Sequence, residues 1–138
     1  MNYNNLLKKD IEFGNNNEKL LKSKIENFFK CNLQHTNKTN IFDFIDTDKK
    51  ILIELKTRKN TKMKYPTTMI GYNKVLESIK KIKEGYTIYY IFNFTDKLSF
   101  YKFEKDNNDY HSIGGRKDRG RPEFKKYYFI PVELLSDI

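Results

Sequence analysis

Asp43, Glu54 and Lys56 are the residues of this chain whose types and spacing suit chemistry on a charged substrate. They lie within NIFDFIDTDKKILIELKTR, residues 40–58, where each acid interrupts an apolar run. An unpaired carboxylate buried in such a run is costly. Strand side chains alternate, so Leu52, Glu54 and Lys56 share one face while Ile51, Ile53 and Leu55 share the other. If residues 40–46 and 50–57 pair as a hairpin around TDKK, Asp43 comes close to Glu54. Two carboxylates so placed repel unless something positive lies between them. A divalent cation answers this, and oxygen ligands without His or Cys favour Mg2+ or Mn2+ over zinc. Lys56 then stands beside the metal, placed to hold a phosphate oxygen or to orient a water. That constellation suits phosphodiester cleavage.

The acid-x-Lys spacing is weak by itself. Composition gives about three such pairs by chance, and the chain has three: Asp48-Lys50, Glu54-Lys56 and Glu123-Lys125. Only Glu54-Lys56 sits in an apolar strand with another strand-borne acid, 11 residues earlier. Asp46 competes with Asp43 for the first acid, although the apolar neighbours of Asp43 favour the latter. A third carboxylate, Glu18, falls on the same helical face as Leu21 and Ile25. It reads either as a first-turn residue favoured by the helix dipole or as a further ligand of the same site. The bland reading of the strand acids is an amphipathic hairpin with an exposed face, on which Glu54-Lys56 is a surface pair of little energetic weight.

The elements that must position these residues follow from periodicity. The first ten residues read as a polar arm. NNNEKLLKSKIENFF is a helix, capped by asparagines, with Leu21, Ile25, Phe28 and Phe29 on its apolar face. A short strand and turn follow around CNLQHTNKTN, and then the hairpin. Residues 67–83 keep helical spacing through Tyr72, Val75, Leu76, Ile79 and Ile82, with Gly85 as the stop. YTIYYIFNF and LSFYKFE are strands around the turn TDK, and their tyrosines read as strand packing. Residues 105–123 lack an apolar period and read as a long polar loop that holds His111. KKYYFIPVELL is a last strand ended by Pro131. The result is an α/β fold, a mixed central sheet flanked by helices, in one domain spanning residues 1–138.

With these elements placed, FDF around Asp43, ELK at residues 54–56 and GNNNE on the preceding helix together resemble the PD-(D/E)xK nucleases. These form the restriction-endonuclease-like superfamily, and GNNNE is similar to its Holliday-junction-resolvase-like members. The resemblance covers about residues 12–93, the αβββαβ core; Phe42 stands where the motif's name has proline. It implies that Asp43 and Glu54 bind Mg2+ or Mn2+ with the Leu55 backbone carbonyl, and that Glu18 completes or tunes the site. It implies that Lys56 supports the attacking water and stabilises the charged transition state. Family members hydrolyse phosphodiesters in DNA, less often RNA, usually leaving a 5′ phosphate.

The formal charge of +9 over 138 residues agrees with a nucleic-acid partner. The chain has 23 Lys, 15 Asn and 14 Ile but only four Arg and no Ala, as AT-rich coding tends to produce. Such a composition suits a phage or large DNA virus, among others, and part of the lysine excess is then codon bias. Two basic loops flank the candidate site. One carries Arg58, Lys59, Lys62 and Lys64; the other clusters Arg116, Arg119 and Arg121 among glycines. Lys74 and Asn73, at the start of the second helix, are placed to reach a phosphate. One cysteine and two histidines exclude a disulfide framework and make a zinc site improbable. No run approaches the ~20 apolar residues of a membrane span, and an intracellular protein is expected. The expected function is a metal-dependent DNA endonuclease, with a homodimer plausible because two strands need two sites. The competing expectation is a nucleic-acid-binding module of the same fold without useful catalysis. An interaction protein whose charge is codon bias is the third reading.

Overall fold

The computed structural model of the protein describes residues 18–37, 39–116 and 123–138. The expected polar arm lies outside them. A helix, α1, runs through residues 18–29 and presents Ile25, fully buried, to the sheet beneath it. It stops because Lys30 turns left-handed (φ 54°). The Glu26 carboxylate then reaches past the turn to accept the Leu33 N–H at 2.8 Å. Leu21 and Phe29 on the same face are partly buried, and Phe28 stays half exposed. It packs edge-on against Phe29 at 5.0 Å.

After the two-residue strand β1 (Gln34–His35) comes the expected hairpin, β2 (Phe44–Asp46) and β3 (Ile51–Thr57). Its register pairs Phe44 with Ile53 and Asp46 with Ile51. Alternation along β3 works as predicted. Ile51 and Ile53 join Ile25, Leu33 and Phe44 under α1, while Leu52 joins the core on the opposite face.

The chain next makes β4 (Thr67–Gly71) and only then α2 (Tyr72–Lys83). The helix expected to start at Thr67 therefore starts five residues later. Two β-branched threonines favour the strand, and Gly71 is the helix N-cap. Gly85 ends the helix with φ 95°, a conformation open to glycine. β5 (Thr87–Asn93) lies parallel to β3, from Ile51 opposite Thr87 to Thr57 opposite Asn93. β6 (Leu98–Phe103) returns antiparallel.

Part of the expected polar loop is ordered structure. A short 3-10 turn, Asn108–Tyr110, leads into β7 (His111–Arg116), which pairs with β8 (Glu123–Pro131). The glycines at 114 and 115 hid this strand from periodicity, and the partner strand supplies the stability that composition does not. β9 (Ser136–Asp137) closes the far side.

The strands form a mixed six-stranded sheet in the order β1-β2-β3-β5-β6-β9 and a second sheet in the order β4-β8-β7. With α1 on one face of the large sheet, this is a restriction-endonuclease-like α/β arrangement. On the other face α2 and the second sheet together cover Leu52, Ile88, Tyr90, Phe92 and Phe103. That second sheet was not anticipated. Among the described residues no helix is long and apolar enough to cross a membrane.

Candidate active site

The open end of the hairpin brings the two predicted acids together. Asp43 immediately precedes β2, and its N–H donates to the Ile53 carbonyl at 2.9 Å. Its carboxylate turns back to accept the Leu55 N–H at 2.8 Å. This fixes the acid one step beyond the Phe44–Ile53 pair, opposite Glu54. The Asp43 side chain faces solvent, whereas Glu54 is 2% exposed.

Glu54 sits between two lysines. Lys56 Nζ stands 3.4 Å from Oε1, and Lys74 Nζ, from the first turns of α2, stands 3.4 Å from Oε2. The second contact is Coulombic rather than a hydrogen bond, because Oε2 is buried with no hydrogen-bond partner. Lys74 spends its well-formed bond elsewhere, on the Ile41 carbonyl at 2.6 Å. Burial pushes the Glu54 carboxyl above its usual range, and the nearby Asp43 charge adds to this; Lys74 and Lys56 pull it back only in part. The apolar strand thus holds a strained carboxylate next to a second, solvent-facing one.

Glu18 opens onto the same region from α1. It lines, with Asp43, Leu55, Thr57 and Asn93, a cleft of about 390 Å³. Its carboxylate is also 3.6 Å from His35 Nδ1 on β1, a contact that sequence reasoning did not find. The cleft runs on past Leu21, Thr57 and Asn93 into a larger one of about 620 Å³ that ends at Arg58 and Phe94. Both follow the carboxyl ends of the parallel strands β3 and β5.

Asp46, the competing acid, is tied down instead. It accepts the Asn32 N–H at 2.9 Å and the Lys49 N–H at 3.0 Å. Backbone hydrogen bonds from Lys49 and Asn32 hold its carboxyl below the usual range. It lies at the turn end of the hairpin, away from Glu54.

The predicted basic residues divide. Lys59 and Lys64 are exposed just beyond β3. Arg58 turns inward: its guanidinium donates to the Met69 carbonyl and lies 5.9 Å from the Phe92 ring centroid. Lys62 is bound to Asp137 at 2.8 Å and anchors β9. Neither Arg58 nor Lys62 is free in the way the sequence suggested. Lys74 lies at Glu54, closer to the acids than its expected phosphate role required. Arg116 is on β7, and Arg119 and Arg121 lie outside the described residues. His111, expected to be an inert loop residue, sits on β7 and contacts Asp106 at 2.5 Å.

The residues present fit a divalent cation in three respects. Two carboxylates of unlike exposure converge, one buried oxygen lacks a hydrogen bond, and all candidate donors are hard oxygens. Among the described residues no three His, Cys, Asp or Glu side chains cluster as a self-contained metal cage. Magnesium is nevertheless commonly held by only one or two carboxylates together with substrate phosphates.

A family model described as "Phage putative PDDEXK endonuclease" matches residues 11–136. No curated protein and no solved structure matches the chain significantly.

Proposed function

The chain belongs to this phage PDDEXK endonuclease family, and on that premise we propose that it is a Mg2+- or Mn2+-dependent DNA endonuclease. The observation that carries the metal is the Glu54 Oε2 atom, buried without a hydrogen-bond partner beside a second carboxylate. Asp43, Glu54 and the Leu55 carbonyl would hold the cation, with Glu18 at the rim of the cleft. When bound, such a cation neutralises charge that builds on the phosphate oxygens.

The side chains do the rest. Lys56, with its side chain 38% exposed, reaches from Glu54 toward solvent. It orients the attacking water and holds a non-bridging phosphate oxygen as negative charge grows there. Lys74 keeps Glu54 in its ionised, ligating form and fixes its position against α2. Water adds to phosphorus, the bond to one bridging oxygen breaks, and the leaving oxygen takes up a proton. Exposed Lys59 and Lys64 bind flanking phosphates, an interaction that weakens with salt.

The test is a cleavage assay on labelled duplex, single-stranded and four-way-junction DNA and on RNA, with Mn2+. Wild type is compared with Asp43→Ala and Lys56→Ala. Cutting that both variants lose supports the site and identifies the substrate. Absence of cutting with unaltered DNA binding removes the catalytic reading.

One observation favours a second reading. Each Glu54 oxygen already faces a lysine at 3.4 Å, so the charge is balanced without a cation. A binding module of the same fold would need no more than that. Calorimetric titration with Mn2+ separates the two, since only the nuclease binds the ion through Asp43.

A further inference from the structure

The outer face of the second sheet is an aromatic surface that the catalytic site does not use. Along β8, Tyr128 and Ile130 point into the core and are fully buried. On the other side, alternating with them, Lys125 is exposed and Tyr127 and Phe129 are partly exposed. Across the ladder Tyr127 is flanked by Gly71 on β4 and by Ser112 on β7. Its ring therefore has small neighbours on both sides. Phe129 lies opposite Met69, and the Tyr127 and Phe129 ring centroids are 6.4 Å apart. Ahead of β4, Tyr65 is 53% exposed, with Lys64 Nζ 5.6 Å from its ring centroid.

Tyr65, Met69 and Phe129 line a groove of about 410 Å³ with Arg58, Asn60 and Pro66. No acid is among its lining residues. Arg58 also lines the cleft that runs on to Asp43, so the groove and the candidate active site are linked along the surface.

We propose that this face is a binding platform for the unpaired bases of a single-stranded nucleic-acid segment. Flat aromatic side chains on an open sheet stack on bases of any sequence, and lysines beside them take the phosphates. Lys64 and Lys125 supply that charge here. A nucleic-acid strand engages both features at once, its bases on the rings and its phosphates on the lysines. The platform rests on the nucleic-acid reading of the chain but not on catalysis. It gives the endonuclease a preference for substrates with a single-stranded arm.

The test is fluorescence anisotropy of the full chain with a labelled oligothymidylate and with a blunt duplex, both in EDTA so that nothing is cut. Tyr65→Ala and Tyr127→Ala should each weaken oligothymidylate binding about tenfold. Tyr127→Phe should stay within about twofold of wild type, and duplex affinity should not change. Tyr65 precedes the sheet and is exposed, so Tyr65→Ala carries the test if Tyr127→Ala does not fold. Unchanged oligothymidylate affinity in the folded alanine variants, or an equal loss on blunt duplex, overturns the proposal. So does a wild-type dimer that Tyr127→Ala dissociates while oligonucleotide binding stays intact, which would give the face to a second copy. A chain that binds the oligothymidylate through these rings yet cuts nothing sinks the nuclease and leaves the platform standing.

Discussion

At the turn end of the β2–β3 hairpin, Asp46 is 5% exposed and accepts two backbone N–H groups. At the open end, Glu54 is 2% exposed and leaves one oxygen without a hydrogen bond. The same two strands thus bury two acids and treat them oppositely. Backbone donors lower the pKa of the first; burial and a like charge raise that of the second. A buried carboxylate satisfied by amides is a structural clip. One left short, next to another acid and two lysines, is the feature on which the proposed cation site rests.

Substitutions at the two ends should separate these roles. The largest effect is expected at the open end. Asp43→Ala and Lys56→Ala should each lower the cleavage rate by about 10²–10³-fold with little change in melting temperature. Steady-state rates beside calorimetric melts check this, and a large melting shift would make Asp43 structural instead. At the turn end, Asp46→Ala removes two bonds to a charged acceptor and should cost about 2–3 kcal/mol in denaturant unfolding. Cleavage per folded molecule should then be unchanged.

The pH dependence of stability without added metal should carry opposite signs. Asp46 has a folded value below its unfolded one, so its contribution is full above the unfolded value and is lost as pH falls through the folded one. Glu54 has a folded value above its unfolded one, so its protonated form favours folding at low pH. That contribution fades as pH rises through the raised value. Glu54→Gln should therefore flatten the stability profile on the alkaline side of the unfolded Glu value, and Asp46→Asn should flatten it around and below the unfolded Asp value. Urea melts across pH 3–8 would show the two slopes; the same slope in both variants would erase the contrast. The smallest effect is expected at Lys62, whose partner Asp137 is half exposed. Lys62→Ala should cost at most about 1 kcal/mol and leave DNA affinity unchanged, as an anchor rather than a phosphate contact would.

The hairpin and its acids were legible because strand alternation is local: Glu54 falls out of phase with Ile51 and Ile53 whatever the rest of the chain does. The choice between Asp43 and Asp46 was only partly legible. It turns on the Asn32 N–H, which reaches Asp46 from 14 residues away. β4 was read as helix because the spacing of Tyr72, Val75, Leu76, Ile79 and Ile82 was extended back to Thr67. Its identity as a strand depends on β8, far along the chain. β7 could not be seen for the same reason, since its glycines carry no pattern without the partner. Lys74 was seen as basic and near the site; that it faces Glu54 depends on how α2 lies on the sheet.

The pairing of β4 with β8 also sets the order in which the molecule can be completed. Thr67 meets Pro131 and Gly71 meets Tyr127, a closure across nearly half the chain. The hairpin with Asp43, Glu54 and Lys56 needs only a short turn and can form soon after it leaves the ribosome. β4 must wait for β8, and long-range closures of this kind are slow. Until then Ile70 and Val75 lack the Tyr128 and Ile130 side of their core, which makes this half the vulnerable one during synthesis. A product that ends before β8 would carry the acids without the sheet that helps hold α2, and with it Lys74, in place.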